Sequence, residues 1–200
     1  MNIDLLGEYA DRAYPLLASL VVPRPIAWVS TLDEEGGVNV APFSFFNLMG
    51  ANPPLVVFAP GNRENGAPKD SARNARRTGE FVVNLVDEAL AEAMNRTAAT
   101  LPPGISEAEE FGLATVASEL IATPRLRDVP AALECKVHSI QVIGENRMII
   151  GIVHRLYVRD ELVDLERMRI VQENYNPVGR MSSPDWYCRT GDRFEMRRPL

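Results

Sequence analysis

The sequence predicts a mainly β protein built as an antiparallel barrel with a few peripheral helices. Three observations carry that expectation. Short runs rich in β-branched and aromatic residues recur along the chain, and glycine-containing turns join most of them. Few helical segments interrupt the series. Within Ala131–Val142 the apolar parity also switches, from Leu133, Cys135 and Val137 to Ile140 and Val142, as a bulged or strongly bent strand requires where a sheet curls.

Met1–Ala18 reads as a short helix or irregular lead-in, with Leu5, Leu6 and Tyr9 set among polar residues. Pro23-Arg24-Pro25 forces extended backbone into the strand Ile26–Thr31. The polar turn Asp33–Gly37 and the alternating Val38–Ala41 complete a β-hairpin. Ser44–Asn52 is polar and aromatic without a clear period, and Pro53-Pro54 closes it. Leu55–Ala59 is an unbroken apolar run, the pattern of a strand buried on both faces. After a loop over Gly61–Pro68, Asp70 or Ser71 can cap a short helix through Arg77, with Gly79 as its stop. Phe81–Leu85 is a strand, and a helix over Asp87–Ala98 ends before the Pro102-Pro103-Gly104 break. Ser106 and Glu109 fit a capping box for one further turn. Gly144–Arg147 turns the chain from Ala131–Val142 into Met148–Val158, and the tail from Met181 is polar with Trp186, Tyr187 and Phe194 as packing anchors. No repeat or linker divides the chain, so one domain over residues 1–200 is expected, with a core of about 20–160 and a tail of 161–200.

Composition narrows the function. Of 200 residues, 46% are hydrophobic and 24% charged, as in an ordinary globular protein, and the formal net charge of −6 argues against a nucleic-acid partner. Cys135 and Cys188 read as reduced thiols, and with only His138 and His154 beside them no zinc ligand set is expected. No apolar run reaches the roughly 18 residues of a membrane span. The first eight residues lack the basic start and apolar stretch of a signal peptide, so a cytoplasmic protein is expected.

Two clusters could carry chemistry. Lys69-Asp70-Ser71-Ala72-Arg73-Asn74 brings two cations and a hydroxyl to a helix N-terminus, where free N–H groups and the helix dipole favour a phosphate. The same residues also suit a solvated basic helix face. Ala41-Pro42-Phe43-Ser44-Phe45-Phe46-Asn47 could flank a flat ligand with its three aromatics and hydrogen-bond its edge, or be core aromatics beside turn-forming Ser44 and Asn47. Ser30, Thr31 and His154 carry little signal alone, and no nucleophile–base pair or dinucleotide fingerprint occurs.

Taken in order, Arg24–Thr31, Val38–Asn47, Asn52–Val56, Lys69–Asn74, Gly79–Leu85, Gly151–His154 and the tail residues Pro177–Met181, Trp186-Tyr187 and Arg189 resemble flavin-reductase-like proteins with the FMN-binding split-barrel fold. The resemblance covers nearly the whole chain. It implies a homodimer with FMN, or in some members FAD, near the subunit interface. Ser30 and Thr31 would lie along the ribityl-phosphate side, and Ser44, Phe45 and Asn47 would contact the isoalloxazine and ribityl regions. Lys69, Ser71 and Asn74 would hold the phosphate, with Asp70 and Arg73 close by, and His154 would sit near the flavin or nicotinamide; Arg180 is a further candidate from the tail. The implied reaction is hydride transfer from NADH or NADPH to the flavin, with electrons passed on to a partner monooxygenase or another acceptor. No catalytic residue and no metal ligand is assigned. A flavoredoxin-like electron carrier, a ferric reductase and a non-enzymatic flavin-binding protein are the alternatives.

Overall fold

Pro23 and Pro25 deliver the chain extended into its first strand, and from there hairpins build almost everything. The computed structural model describes residues 1–102 and 104–199; Pro103, part of the expected Pro102–Gly104 break, and Leu200 lie outside the described residues. A 3₁₀ turn at Ala10–Arg12 leads into helix α1 (Ala13–Leu20), which ends two residues beyond the expected lead-in. Strands β1 (Ala27–Leu32) and β2 (Val38–Phe43) pair across a turn in which Asp33 Oδ1 accepts the N–H groups of Glu35 and Gly37 at 2.9 and 2.7 Å. Gly36 sits there at φ +89°, a conformation open to glycine and strained for other residues. Strand β3 (Phe46–Ala51) pairs with β4 (Pro54–Phe58); helix α2 (Asp70–Thr78) then ends at Gly79, left-handed at φ +74°, before β5 (Glu80–Asn84).

Helix α3 (Ala91–Arg96) grows out of a 3₁₀ turn at Glu88–Leu90 that Asp87 caps, so the expected helix over Asp87–Ala98 is shorter and begins tightly wound. Ser106 caps α4 (Glu107–Glu110) through the N–H of Glu109, as the capping box predicts. Two-residue strands β6 (Thr115–Val116) and β7 (Arg125–Leu126) pair, and the long hairpin β8 (Ala131–Ile143) with β9 (Asn146–Val158) follows. Its register shifts twice, once past His154 on β9 and once past His138 on β8, and the second shift returns Ile140 to the face of Leu133 and Val137. Short ladders β10 (Val163–Asp164) with β11 (Arg169–Ile170), and β12 (Val178–Arg180) with β13 (Tyr187–Arg189), complete the chain.

Seven strands form one antiparallel sheet in the order β2-β1-β5-β8-β9-β4-β3. Its two edge strands are consecutive in the chain, separated by Ser44 and Phe45 alone. A flat sheet would hold those edges about 29 Å apart, six spacings of about 4.8 Å, whereas three Cα steps reach at most about 11 Å. The sheet therefore rolls into a barrel, closed by covalent chain at one corner and without ladder hydrogen bonds between β2 and β3.

Strand periodicity divides the core into two. Val29, Phe43, Val56, Phe58, Phe81, Cys135 and Ile149 fill the barrel interior, where α2 inserts Ala72 and Ala75. Phe58 stacks obliquely between Phe43 and Phe81 at 5.4 and 5.0 Å, and Gly151 leaves room for the Phe81 ring: a Cβ there would lie 2.5 Å from Cζ. On the outer face, Trp28, Val40, Val82 and Val86 pack beneath Met94, Ala108, Ile121 and Leu126. Complete burial of a side chain such as Phe81 contributes about 2–3 kcal/mol. The run Leu55–Ala59 departs from its expectation: Val56 and Phe58 are buried inside the barrel while Leu55 and Val57 stay half-buried outside it. Among the described residues no helix is long and apolar enough to cross a membrane.

Candidate functional site

The alternation of β1 sends Thr31 toward α2 and Ser30 to the opposite face. Thr31 Oγ1 accepts a hydrogen bond from Asn74 Nδ2 at 3.2 Å, and one strand over, Asn39 Nδ2 donates to Ser71 Oγ at 3.0 Å. All four residues are buried. Asn74 Oδ1 is buried as well and has no partner among the described residues. Rotating this amide by 180° would let Oδ1 accept the Thr31 hydroxyl proton and would leave Nδ2 unpaired instead. In either orientation one amide atom remains for a ligand.

The N-terminus of α2 is open. Lys69 is its N-cap, extended at φ −63°, ψ 155°, and no side chain caps it. The first intrahelical bonds run from the N–H groups of Ala72 and Arg73 to the Lys69 carbonyl at 3.0 Å each, so the N–H groups of Asp70 and Ser71 precede the helix ladder. The expected cap by Asp70 or Ser71 is absent because both side chains are otherwise engaged: the Asp70 carboxylate pairs with Arg63 and, at 2.6 Å, with Arg73, and Ser71 holds Asn39. Lys69 Nζ lies 5.8 Å from the centre of the Phe43 ring, with no carboxylate in ion-pair range among the described residues.

A cleft in two adjoining compartments, about 130 and 190 Å³, lies over this helix end, and Asn39, Asp70, Leu101 and Glu107 line both. Phe43, Arg63, Lys69 and Ser71 line the first compartment with the Thr97–Leu101 segment. Asp33, Glu34, Glu35, Arg73 and Asn74 line the second. Glu107 reaches in from α4, its Oε2 accepting the Val40 N–H at 3.0 Å. Burial pushes its carboxyl pKa upward and Asp70 adds to that, while hydrogen bonds from backbone N–H groups, including that of Val40, and the Arg63 charge pull it back.

The β2–β3 corner links this cleft to a second, apolar cavity. Ala41, Pro42 and Phe43 line the first compartment; Phe46, Asn47 and Leu48 line a cavity of about 460 Å³ walled by Ile26, Val56 and Leu133. Between them, Ser44 Oγ accepts from Arg24 Nε at 3.3 Å, and the half-exposed Phe45 meets Tyr14 edge-on at 6.2 Å. Asn47 is exposed, with its Oδ1 on the Leu48 N–H at 2.8 Å. The buried Arg24 guanidinium also donates to the carbonyls of Ala18, Val21 and Met181, tying α1 and the C-terminal segment to this corner. At the cavity wall, burial beside the Asp87 carboxylate pushes the Tyr175 phenol up to about 12.

The fold thus gathers Lys69, Asp70, Ser71, Arg73 and Asn74 at one cleft, with Thr31 buried behind it on the Asn74 amide, and sets Ser44, Phe45 and Asn47 at the adjacent corner. Ser30 stands apart, donating to the Pro124 carbonyl at 2.7 Å and accepting from Asn84 Nδ2 at 3.2 Å. His154 is exposed at its bulge and lines neither the cleft nor the apolar cavity. Arg180 lies over the Tyr187 ring at 4.7 Å and bonds to the Pro184 carbonyl, outside the cleft. Sequence reasoning missed Asn39, Arg63 and Glu107. Asn39 alone carried a signal, as a polar residue sharing the strand parity of Ala41 and Phe43. Among the described residues no cluster of acids, histidines and cysteines is arranged to hold a metal ion.

An antiparallel sheet rolled open between its edge strands, with a polar cleft over a helix N-terminus, defines the class: this is a split β-barrel. The family model described as the flavin reductase like domain matches residues 19–178, and the chain belongs to that family. Similar proteins span the same length. The crystal structure of nitrilotriacetate monooxygenase component B from Bacillus cereus is 34% identical with a TM-score of 0.91, covering 98% of each chain. That of 2-nitrobenzoate 2-nitroreductase from Pseudomonas fluorescens is 38% identical with a TM-score of 0.89, covering 100% of this chain and 96% of the other. An uncharacterized protein of Deinococcus radiodurans is 43% identical over 98% of this chain and 89% of its own length.

Proposed function

We propose that the chain is an NAD(P)H-dependent flavin reductase that holds FMN with its phosphate over the N-terminus of α2. The observation that carries this reading is the conjunction of an uncapped helix end, a free lysine and a buried amide atom without a partner, all at one cleft. Lys69, the N–H groups of Asp70 and Ser71, and the Asn74 amide hold the phosphate; Asp70 keeps Arg63 and Arg73 beside it. Ser44, Phe45 and Asn47 border the ribityl and ring portion, with Ser44 fixed by Arg24. Ser30 serves the scaffold, and His154 is exposed away from the cleft and the apolar cavity of its own chain. Bound FMN supplies two-electron redox chemistry, while the chain orients it and excludes water.

Purified protein is expected to be yellow, or to turn yellow with added FMN, and NADH or NADPH is expected to bleach it. Lys69→Ala combined with Ser71→Ala is expected to weaken FMN binding by tenfold or more while riboflavin binding changes little. Equal loss for both ligands would remove the phosphate assignment. Colour that neither nicotinamide bleaches would favour an electron carrier.

The reading extends to a single-domain cytoplasmic homodimer. A compact monomer of this mass exposes about 9,400 Å², whereas this chain exposes 12,815 Å². The outer faces of β4 and β9 pair half-buried Leu55 with Ile152 and Val57 with Ile150, a surface suited to a second copy. Two acceptors fit different observations. Likeness to a monooxygenase component supports delivery of reduced flavin to a partner oxygenase. Likeness to a nitroreductase, together with the apolar cavity beside Asn47, supports reduction of a small organic acceptor at the protein itself.

A further inference from the structure

We propose that the second compartment of the cleft makes this site selective for flavin mononucleotide over flavin adenine dinucleotide, with the Asp33–Glu35 turn as the discriminating element. The inference rests on the reading that the flavin phosphate sits over α2. The two flavins carry nearly the same total phosphate charge near neutral pH and differ in where it lies. A phosphate monoester concentrates about −1.5 to −2 on one phosphorus. The pyrophosphate of the dinucleotide puts one charge on each of two, and the second must leave the first compartment.

The compartments differ in what they offer that second charge. In the first, Arg63 and Lys69 stand against Asp70 and Glu107, and free N–H groups tip the balance toward an anion. The second continues directly from it, sharing Asn39, Asp70, Leu101 and Glu107, and adds Asp33, Glu34 and Glu35. Among the described residues five carboxylates there face a single cation, Arg73, whose guanidinium is already 2.6 Å from Asp70 Oδ1. The acids are not a cation site: Asp33 is committed to the N–H groups of Glu35 and Gly37, and no metal-holding group of acids occurs among the described residues. The mononucleotide keeps its whole charge in the first, charge-balanced compartment, beside Lys69 and the free N–H groups of the helix end. The dinucleotide moves half of it toward the acidic wall. Glu34 and Glu35 are exposed, so salt screens their part of the effect over a Debye length of about 8–10 Å.

The test titrates the full-length protein with FMN, FAD and riboflavin by quenching of flavin fluorescence, at low and at high salt. The unaltered chain is expected to bind FMN at least about tenfold more tightly than FAD at low salt, and salt should shrink that ratio. The double variant Glu34→Lys, Glu35→Lys is expected to lower the ratio fivefold or more, chiefly by tightening FAD, with riboflavin affinity unchanged. Among the described residues these side chains accept no hydrogen bond; Glu34→Gln with Glu35→Gln serves as a milder second variant and should move the ratio the same way. An FMN-to-FAD ratio that both variants leave unchanged, or tighter FAD than FMN binding in the unaltered chain, would overturn the inference while leaving flavin binding intact. Failure of all three flavins to bind would instead remove the underlying reading and this inference with it.

Discussion

Ser30 and Thr31 are consecutive in β1, both fully buried, and face opposite sides of the sheet. On the outer side the polar network closes on itself. Ser30 donates to the Pro124 carbonyl, Asn84 Nδ2 donates to the Trp28 carbonyl and to Ser30, and Asn84 Oδ1 accepts the Leu126 N–H. Trp28 Nε1 donates to Thr97 Oγ1 at 2.9 Å. On the inner side Thr31, Asn74, Asn39 and Ser71 form a network of similar burial that stays incomplete, with one amide atom and two helix N–H groups unpaired. Burial of polar residues therefore does not by itself mark a site. A closed network holds elements together, and one with unmet capacity, opening on a cleft, binds something else.

The largest effect expected from breaking this division lies deeper in the barrel. Gly151→Val would drive its side chain into Phe81, whose ring is backed by Phe58 at 5.0 Å and cannot retreat. Overpacking costs typically 1–3 kcal/mol, and the backed ring puts this site at the top of that range or beyond. The urea midpoint should fall sharply. Adding Phe81→Leu to Gly151→Ala should recover part of the loss, since the smaller side chain frees the space; additive losses from the two changes would show that the crowding is elsewhere.

A smaller and more discriminating pair tests the two faces of β1 directly. Ser30→Ala leaves the Pro124 carbonyl short of its donor and is expected to cost about 1–2 kcal/mol of stability without changing FMN affinity. Thr31→Ala removes the partner of the Asn74 amide and is expected to weaken FMN binding severalfold. Parallel urea melts and FMN titrations separate the two. Equal effects of both variants on FMN affinity would mean that the faces are not functionally distinct.

The legibility of the molecule followed the same division between local and distant causes. Strands β1, β2, β5 and the long hairpin were readable because period-two patterns and turn glycines are written within a few residues of one another. Strand β3 was not: Leu48 and Met49 are exposed on a sheet edge that pairs only with β4, so no buried face imposes alternation on Phe46–Ala51. The helix end at Lys69–Asn74 was visible as an anion-binding pattern, yet the expected cap by Asp70 or Ser71 does not form. Arg63, in a loop without periodicity, takes the carboxylate that would otherwise cap the helix. Glu107 was hidden for the same reason, since the backbone group it binds, the Val40 N–H, lies 67 residues away in sequence.

Glu107 also offers the finest test of how the cleft is held, through pH. Its carboxyl is buried against β2, and burial raises its folded-state pKa above the ordinary carboxylate value of about 4.3. Between those two values the folded chain binds a proton that the unfolded chain has released. The stability contributed by this group is therefore fully present below the unfolded value and is lost as pH rises through the folded one. Glu107→Gln keeps an oxygen for the Val40 N–H and does not titrate. Compared with this variant, the unaltered protein is expected to lose stability on going from pH 4 to pH 8, read as a change in the difference between their urea midpoints. A difference constant across that range would mean that the carboxylate is solvated or paired well enough to cost nothing, and that Glu107 anchors α4 without charging the cleft.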